Sequence, residues 1–123
     1  MENKIYSSKV IHGRKIGKKM GFPTINLADP GILAGHKDGV YAATVSIENE
    51  NHLGLLYKGP RLILGETETI LEIYLLDFER EIYGQTVSFR LLNFIRGVMD
   101  FSDTEAYKKQ LKKDVQGAGK LLK

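Results

Sequence analysis

The strongest constraint on the fold is a series of short segments rich in β-branched and aromatic residues, separated by polar or glycine-containing turns. Such segments are typical of β-strands. The last of them alternates, with Val87, Phe89 and Leu91 on one side, as expected for an antiparallel strand with one exposed face. We predict strands at residues 9–12, 39–47, 52–57, 69–78 and 86–95.

A single helix is predicted after the last strand. Ser102 and Glu105 form the S-x-x-E pattern of a capping box, and Gly117 is a natural residue to end the helix. Between them lies an apolar stripe with a spacing of four, made of Tyr107, Leu111 and Val115. Several short antiparallel strands and one terminal helix favour a closed or nearly closed small barrel with the helix packed on it.

The composition indicates one globular domain over residues 1–123. Apolar residues make up 42% and charged residues 27% of the chain, which are ordinary values for a soluble protein. The chain has no cysteine, which excludes a disulfide framework and thiolate chemistry. No apolar run approaches the length of a membrane span, and the first residues lack the apolar segment of a signal peptide. We therefore expect a cytoplasmic protein without a membrane partner.

The net charge of +3 is too small to indicate a nucleic-acid-binding surface. The cationic residues concentrate at residues 14–19 and among the C-terminal lysines, and the second group is typical of the solvated face of a helix. Four aromatic residues could in principle stack on bases, namely Tyr41, Tyr57, Tyr74 and Phe89. Because they are spread over several strands, as core residues are, we expect no nucleic acid partner.

Three glycines at a spacing of four, Gly13, Gly17 and Gly21, surround a group of cationic residues that includes Lys18. Glycines allow backbone amides to approach a ligand closely, and successive amides can bind an anion. The spacing fits neither a Walker A loop nor a dinucleotide-binding loop. By itself the segment is compatible with a phosphate-binding loop or with a structural turn.

A Pro-Thr-x-Asn tetrapeptide follows this glycine loop. Pro23 restricts the backbone, while Thr24 and Asn26 place two oxygen atoms on the same side of an extended segment. Hydroxyl and amide oxygens are ligands that suit Mg²⁺ bound to phosphates. The same two side chains would equally serve to cap turns. The residues alone therefore leave a nucleotide and metal site as one of two interpretations.

Glu72 is a carboxylate within the otherwise apolar segment 69–78. A buried carboxylate costs free energy unless it is paired, hydrogen-bonded or protonated. One interpretation is an exposed side chain on the outer face of a half-buried strand. The other is a general base that takes a proton from a hydroxyl group.

Together and in this order, these patterns resemble the riboflavin kinase (flavokinase) domain of the ATP-dependent bacterial and eukaryotic type. The resemblance extends over nearly the whole chain. It depends most on the glycine loop with its Pro-Thr-x-Asn tetrapeptide and on the segment around Glu72. The matching segments are residues 13–27, 38–42, 71–84 and 94–96, together with Gln110, Asp114 and Val115.

The resemblance implies a mostly β fold, a six-stranded antiparallel Greek-key β-barrel with a C-terminal α-helix packed against it. It also implies a kinase that transfers the γ-phosphate of ATP to the ribityl 5′-hydroxyl of riboflavin, giving FMN and ADP. Mg²⁺ or another divalent ion would assist the transfer. The implied partners are the small molecules riboflavin and ATP, and we expect a monomer.

The family's functional residues map onto matching positions of this chain. Glu72 corresponds to the catalytic base, and Thr24 and Asn26 correspond to the pair that contacts metal and phosphate. The resemblance implies that nucleotide or flavin contacts come from Gly13, Gly17, Lys18, Gly21, Pro23, Thr24, Asn26, Tyr41 and Arg96.

The chain departs from the family pattern at three places. They are residues 56–62, Tyr74, where the family usually has histidine, and Val98, where an acidic residue is usual. These differences leave an alternative open, in which the chain is a non-catalytic flavin- or nucleotide-binding module with the same fold.

Overall fold

The computed structural model describes residues 4–11, 24–62, 65–76, 81–100 and 103–121. In chain order the elements are β1 (Tyr6–Ile11), β2 (Thr24–Leu27), a 3₁₀ turn (Pro30–Leu33), β3 (Gly39–Ile47), β4 (Glu50–Gly59), β5 (Ile70–Leu75), β6 (Thr86–Arg96) and α1 (Thr104–Leu121). The five predicted strands are confirmed within the described residues, with ends that shift by a few residues. The predicted strand residues His12, Asp77 and Phe78 lie outside the described residues. The extended segment predicted at Thr24 and Asn26 is strand β2.

The strands pair antiparallel in the order β1–β2–β5–β4–β3–β6, and β1 also pairs with β6, so that they close into a barrel. β3, β4 and β5 form a meander, with β6 beside one edge and β2 beside the other. This is the strand order of a Greek key. The predicted fold class, a six-stranded antiparallel barrel with one C-terminal helix, is confirmed.

The interior of the barrel is filled by inward-facing residues of all six strands. Because alternate residues of a strand point to opposite faces, Leu71, Ile73 and Leu75 of β5 all lie in this core. Tyr6 stacks on Phe89 with ring centroids 5.5 Å apart, which connects β1 to β6 inside the barrel. The apolar face predicted for β6 is buried, as expected.

Helix α1 packs on the outer face of the barrel. A second apolar cluster there joins Val40, Ala42 and Leu55 of the barrel to Val115 and Ala118 of the helix. A helix has to bury its apolar side, and here it does so by covering part of the sheet's outer surface. Within the described part of the chain, no helix is long and apolar enough to cross a membrane.

Both ends of α1 differ from the sequence prediction. The backbone amide of Ala106 donates a hydrogen bond of 2.8 Å to Oδ1 of Asp103, so Asp103 caps the helix. Ser102, the predicted cap, lies outside the described residues. Aspartate and serine are equally good N-caps, and sequence spacing alone does not choose between neighbours. The helix also continues through Gly117 to Leu121. An interior glycine costs only about 1 kcal/mol, and the next residue, Ala118, is buried against the barrel.

Candidate active site

One row of the strand ladder places residues of five strands side by side. Asn26 of β2 lies directly opposite Glu72 of β5, and Glu72 lies opposite Tyr57 of β4. The row continues through Val40 of β3 to Arg96 of β6. In β2 and β5 the residues on both sides of this row belong to the barrel core, as does Leu56 beside Tyr57 in β4. Alternation therefore directs Asn26, Glu72 and Tyr57 to the outer face of the barrel.

Glu72 faces outwards but is only 6% exposed. Burial raises the pKa of its carboxyl group, and the charge and hydrogen bond of Arg61 act in the opposite direction. The structure thus combines parts of both interpretations of this residue, since Glu72 is on the outer face of its strand and yet is shielded from water. A buried carboxylate with a raised pKa suits a proton acceptor in catalysis.

The guanidinium group of Arg61 connects the side chains of Asn26 and Glu72 in this row. Its Nη2 donates to Oδ1 of Asn26 and, at 3.2 Å, to Oε2 of Glu72. Its Nη1 lies 3.6 Å from Oε1 of Glu66. In the sequence, residues 56–62, which include Arg61, differ from the family pattern but carry no other mark of a site. A carboxylate within an apolar strand was the signal that a cation had to lie close to it in the fold.

Two tyrosine hydroxyl groups also belong to the surroundings of Glu72. Tyr57 donates a hydrogen bond of 2.6 Å to the carbonyl oxygen of Pro60, and burial is the main cause that raises its pKa to about 12. Burial also raises the pKa of Tyr107 on α1, and the negative charge of Glu72 adds to this effect. Both phenols are therefore neutral near pH 7.

Thr24 lies on the same strand face as Asn26, two residues away. Its Oγ1 atom is buried and has no hydrogen-bond partner among the described residues, which is rare for a buried polar atom. The Thr24 hydroxyl and the Asn26 amide oxygen fit a Mg²⁺ ion that takes its other ligands from phosphates and water. The described residues contain no group of three or more His, Cys, Asp and Glu side chains that could hold a metal, so such an ion would depend on these neutral oxygens.

The other predicted contact residues lie apart from this group or outside the described residues. Tyr41 is in the barrel core, and its hydroxyl donates to the carbonyl oxygen of Lys37 at 2.6 Å. Arg96 stands at the far end of the row and binds Asp114 of α1. The predicted residues outside the described ranges are Gly13, Gly17, Lys18, Gly21 and Pro23.

A family model described as riboflavin kinase matches residues 2–122 of this sequence. The chain belongs to the riboflavin kinase family. The match includes all six strands and helix α1, and it confirms the resemblance found in the sequence.

Curated relatives of this riboflavin kinase family member include two bacterial proteins. The RNA-binding riboflavin kinase RibR of Bacillus subtilis is 35% identical over 117 residues, which cover 94% of this chain and 50% of the relative. A bifunctional riboflavin kinase/FMN adenylyltransferase of Listeria monocytogenes is 37% identical over 114 residues, which cover 90% of this chain and 36% of the relative. The chain thus spans half or less of the length of these two proteins.

Two solved structures share the fold of this riboflavin kinase family member. The riboflavin kinase from Trypanosoma brucei has a TM-score of 0.69 and 26% identity, and the match covers 96% of this chain and 78% of that one. A structure described as a macrolide-efflux protein from Streptococcus pneumoniae has a TM-score of 0.76 and 29% identity, and the match covers 91% of this chain and 37% of that one.

Proposed function

We propose that this chain transfers the γ-phosphoryl group of ATP to the ribityl 5′-hydroxyl of riboflavin, giving FMN and ADP. The observation that carries the proposal is the buried carboxylate of Glu72 directly opposite Asn26, on a face that also holds Thr24. Membership of the riboflavin kinase family supports the choice of the two substrates.

In this proposal Glu72 is the general base. Its carboxylate accepts the proton of the 5′-hydroxyl while the bond from that oxygen to the γ-phosphorus forms. The bond from the γ-phosphorus to the bridging oxygen breaks, and its electron pair leaves with ADP. Burial of Glu72 keeps water away from the reacting groups, which strengthens electrostatic interactions and limits hydrolysis of ATP. Phosphoryl transfer depends mainly on such positioning and charge stabilisation.

Thr24 and Asn26 are the proposed ligands of Mg²⁺ or another divalent ion. When bound, the ion neutralises negative charge on the β- and γ-phosphates. The buried and unpartnered hydroxyl of Thr24 supports this assignment, because it supplies an oxygen that no group of the described chain uses.

The remaining assignments follow the family resemblance. The glycine loop with Lys18 and Pro23 binds the phosphates, and Arg96 with the start of α1 lies near the flavin. Tyr41 contributes indirectly, because its hydrogen bond to the carbonyl oxygen of Lys37 holds that part of the chain in place. The chain acts as a cytoplasmic monomer without a nucleic acid partner, although the Bacillus relative is described as RNA-binding. Light scattering tests the monomeric state, and an oligonucleotide titration tests the absence of a nucleic acid partner.

The deciding experiment uses the purified chain with riboflavin, ATP and Mg²⁺, and follows FMN and ADP by chromatography. We expect both products in equal amounts, with no ADP above background when riboflavin is omitted. Flavin or nucleotide binding without any FMN, over a range of pH and divalent ions, would show a non-catalytic module instead. Because a buried carboxylate can also serve to bind a ligand, the formation of FMN decides between the two functions.

A further inference from the structure

Arg61 donates hydrogen bonds to oxygen atoms that the proposed function assigns to other partners. Its Nη2 donates to Oδ1 of Asn26, a proposed metal ligand, and to Oε2 of Glu72, the proposed base. A metal ion and a guanidinium group on the same amide oxygen would repel each other strongly in a site of low dielectric constant. Arg61 therefore lies where the proposed function places a metal cation.

The bonding of Arg61 is incomplete in this position. Within the described part of the chain its Nε atom is buried and has no hydrogen-bond partner, and guanidinium nitrogens act only as donors. Its contact with Glu66 is an ion pair at 3.6 Å, longer than a hydrogen bond. The Nε–H group of Arg61 is thus a spare donor on one side of Asn26. The Thr24 hydroxyl, in the same strand as Asn26, is a spare acceptor. Phosphate oxygens match the planar donor pattern of arginine better than a single carboxylate oxygen does.

We propose that Arg61 is a phosphate-binding residue of this site, held on Asn26 and Glu72 in the free protein and transferred to phosphate oxygens when the nucleotide and its metal bind. The inference rests on the proposed function. The transfer replaces the positive charge of Arg61 beside Asn26 by that of the metal ion. It also leaves an oxygen of Glu72 free to accept a hydrogen bond from the substrate hydroxyl. Arg61 lies two residues beyond the end of β4, and a change of its side-chain rotamer requires no change in the pairing of that strand.

The test compares Arg61→Met with the wild type in two binding measurements that need no turnover. Binding of Mn²⁺ alone is followed by electron paramagnetic resonance, and binding of a non-hydrolysable ATP analogue with Mg²⁺ is followed by calorimetry. We expect tighter Mn²⁺ binding, by about tenfold, and weaker analogue binding, by about 10- to 100-fold, the range of one charge-assisted hydrogen bond. The matched control is Arg90→Met, which removes an exposed arginine of β6 and leaves both affinities unchanged.

Opposite shifts of the two affinities support the proposal, because a merely structural arginine would weaken both. Any other combination in a folded Arg61→Met variant overturns it. If this variant does not fold, Arg61→Lys decides, since lysine keeps the charge near Glu72 but lacks the planar group that bridges two oxygens. Weaker analogue binding by Arg61→Lys supports the proposal, and wild-type affinity overturns it.

The turnover assay separates this inference from the proposed function. If the wild type makes FMN and the Arg61 variants bind the analogue normally, only the inference fails. If the wild type makes no FMN but the affinities shift in opposite directions, the proposed reaction fails while phosphate binding by Arg61 is supported.

Discussion

Arg96, the last residue of β6, binds both carboxylate oxygens of Asp114 on α1. Its Nε lies 3.0 Å from Oδ1 and 3.1 Å from Oδ2, and its Nη2 lies 2.9 Å from Oδ2. Gln110 donates a further hydrogen bond to Oδ1 at 3.0 Å. Asp114 is only 2% exposed, so these donors replace the water that it loses on folding. The pair fixes α1 on the barrel face that contains Glu72.

Replacement of Asp114 by alanine is expected to destabilise the fold. The variant leaves the Arg96 guanidinium with 14% exposure and without its carboxylate, and breaking a buried ion pair from one side costs about 3 kcal/mol or more. Urea unfolding followed by circular dichroism measures this change. Asp100→Ala removes an exposed carboxylate and should stay within about 0.5 kcal/mol of the wild type. Equal unfolding free energies of the two variants would show that the pair does not anchor the helix.

Glu72→Gln is expected to remove most of the turnover while the fold is kept. The amide oxygen still accepts from Arg61 but is a far weaker base, so kcat should fall by about 100-fold or more. The measurement is the rate of FMN formation at saturating riboflavin and ATP, with circular dichroism as the check on folding. Glu68→Gln changes an exposed glutamate before β5 and should leave kcat unchanged. A Glu72→Gln variant with the kcat of the wild type would exclude the role of general base.

Glu72 should also give the unfolding free energy a specific pH dependence. Its pKa is raised by burial in the folded protein, so the folded state holds this proton more tightly than the unfolded state. The resulting stabilisation is complete below the unfolded pKa and is lost as the pH rises through the folded pKa. Relative to the wild type, Glu72→Gln should therefore become more stable as the pH rises above the ordinary pKa of an unfolded glutamate, about 4.3. Urea unfolding at several pH values tests this, and parallel curves for the two proteins would contradict it.

Thr24→Val should separate metal binding from stability. No described residue is a hydrogen-bond partner of the Thr24 hydroxyl, so its loss should leave the unfolding free energy within about 0.5 kcal/mol of the wild type. The Mg²⁺ concentration for half-maximal FMN formation should rise about tenfold, equivalent to about 1.4 kcal/mol. Thr86→Val, at an exposed position of β6, is the control and should not change this concentration. An unchanged Mg²⁺ requirement in Thr24→Val would remove Thr24 from the metal site.

Gly59→Ala is expected to disturb the end of β4 beside the candidate site. Gly59 has a φ of +151°, and an added Cβ would lie 2.9 Å from the Tyr57 hydroxyl and 3.0 Å from Cγ2 of Val98. Strain of this kind costs about 2 kcal/mol. Thermal unfolding tests it against Gly97→Ala, whose Cβ would meet no atom within 4 Å. If both variants unfold at the same temperature, the close approach at Gly59 is not required.

Patterns between residues close in sequence predicted much of the fold. The apolar alternation in β6 identified its buried face, and a separation of two residues placed Thr24 and Asn26 on one side of β2. The ends of α1 could not be predicted as well. Neighbouring polar residues are equivalent as caps on sequence grounds, and the helix continues beyond Gly117, where Ala118 contacts the barrel.

For the candidate site, the sequence by itself determined that Glu72, a carboxylate in an apolar strand, needed an explanation. Only the tertiary structure decided that Asn26 and Tyr57 flank it and that Arg61 is its partner. The alternation of side chains between the two faces of a strand depends on covalent geometry, which is the same for every residue and its neighbours. Ladder register, burial under α1 and the approach of Arg61 depend on contacts between segments distant in sequence, and these exist only when the barrel closes.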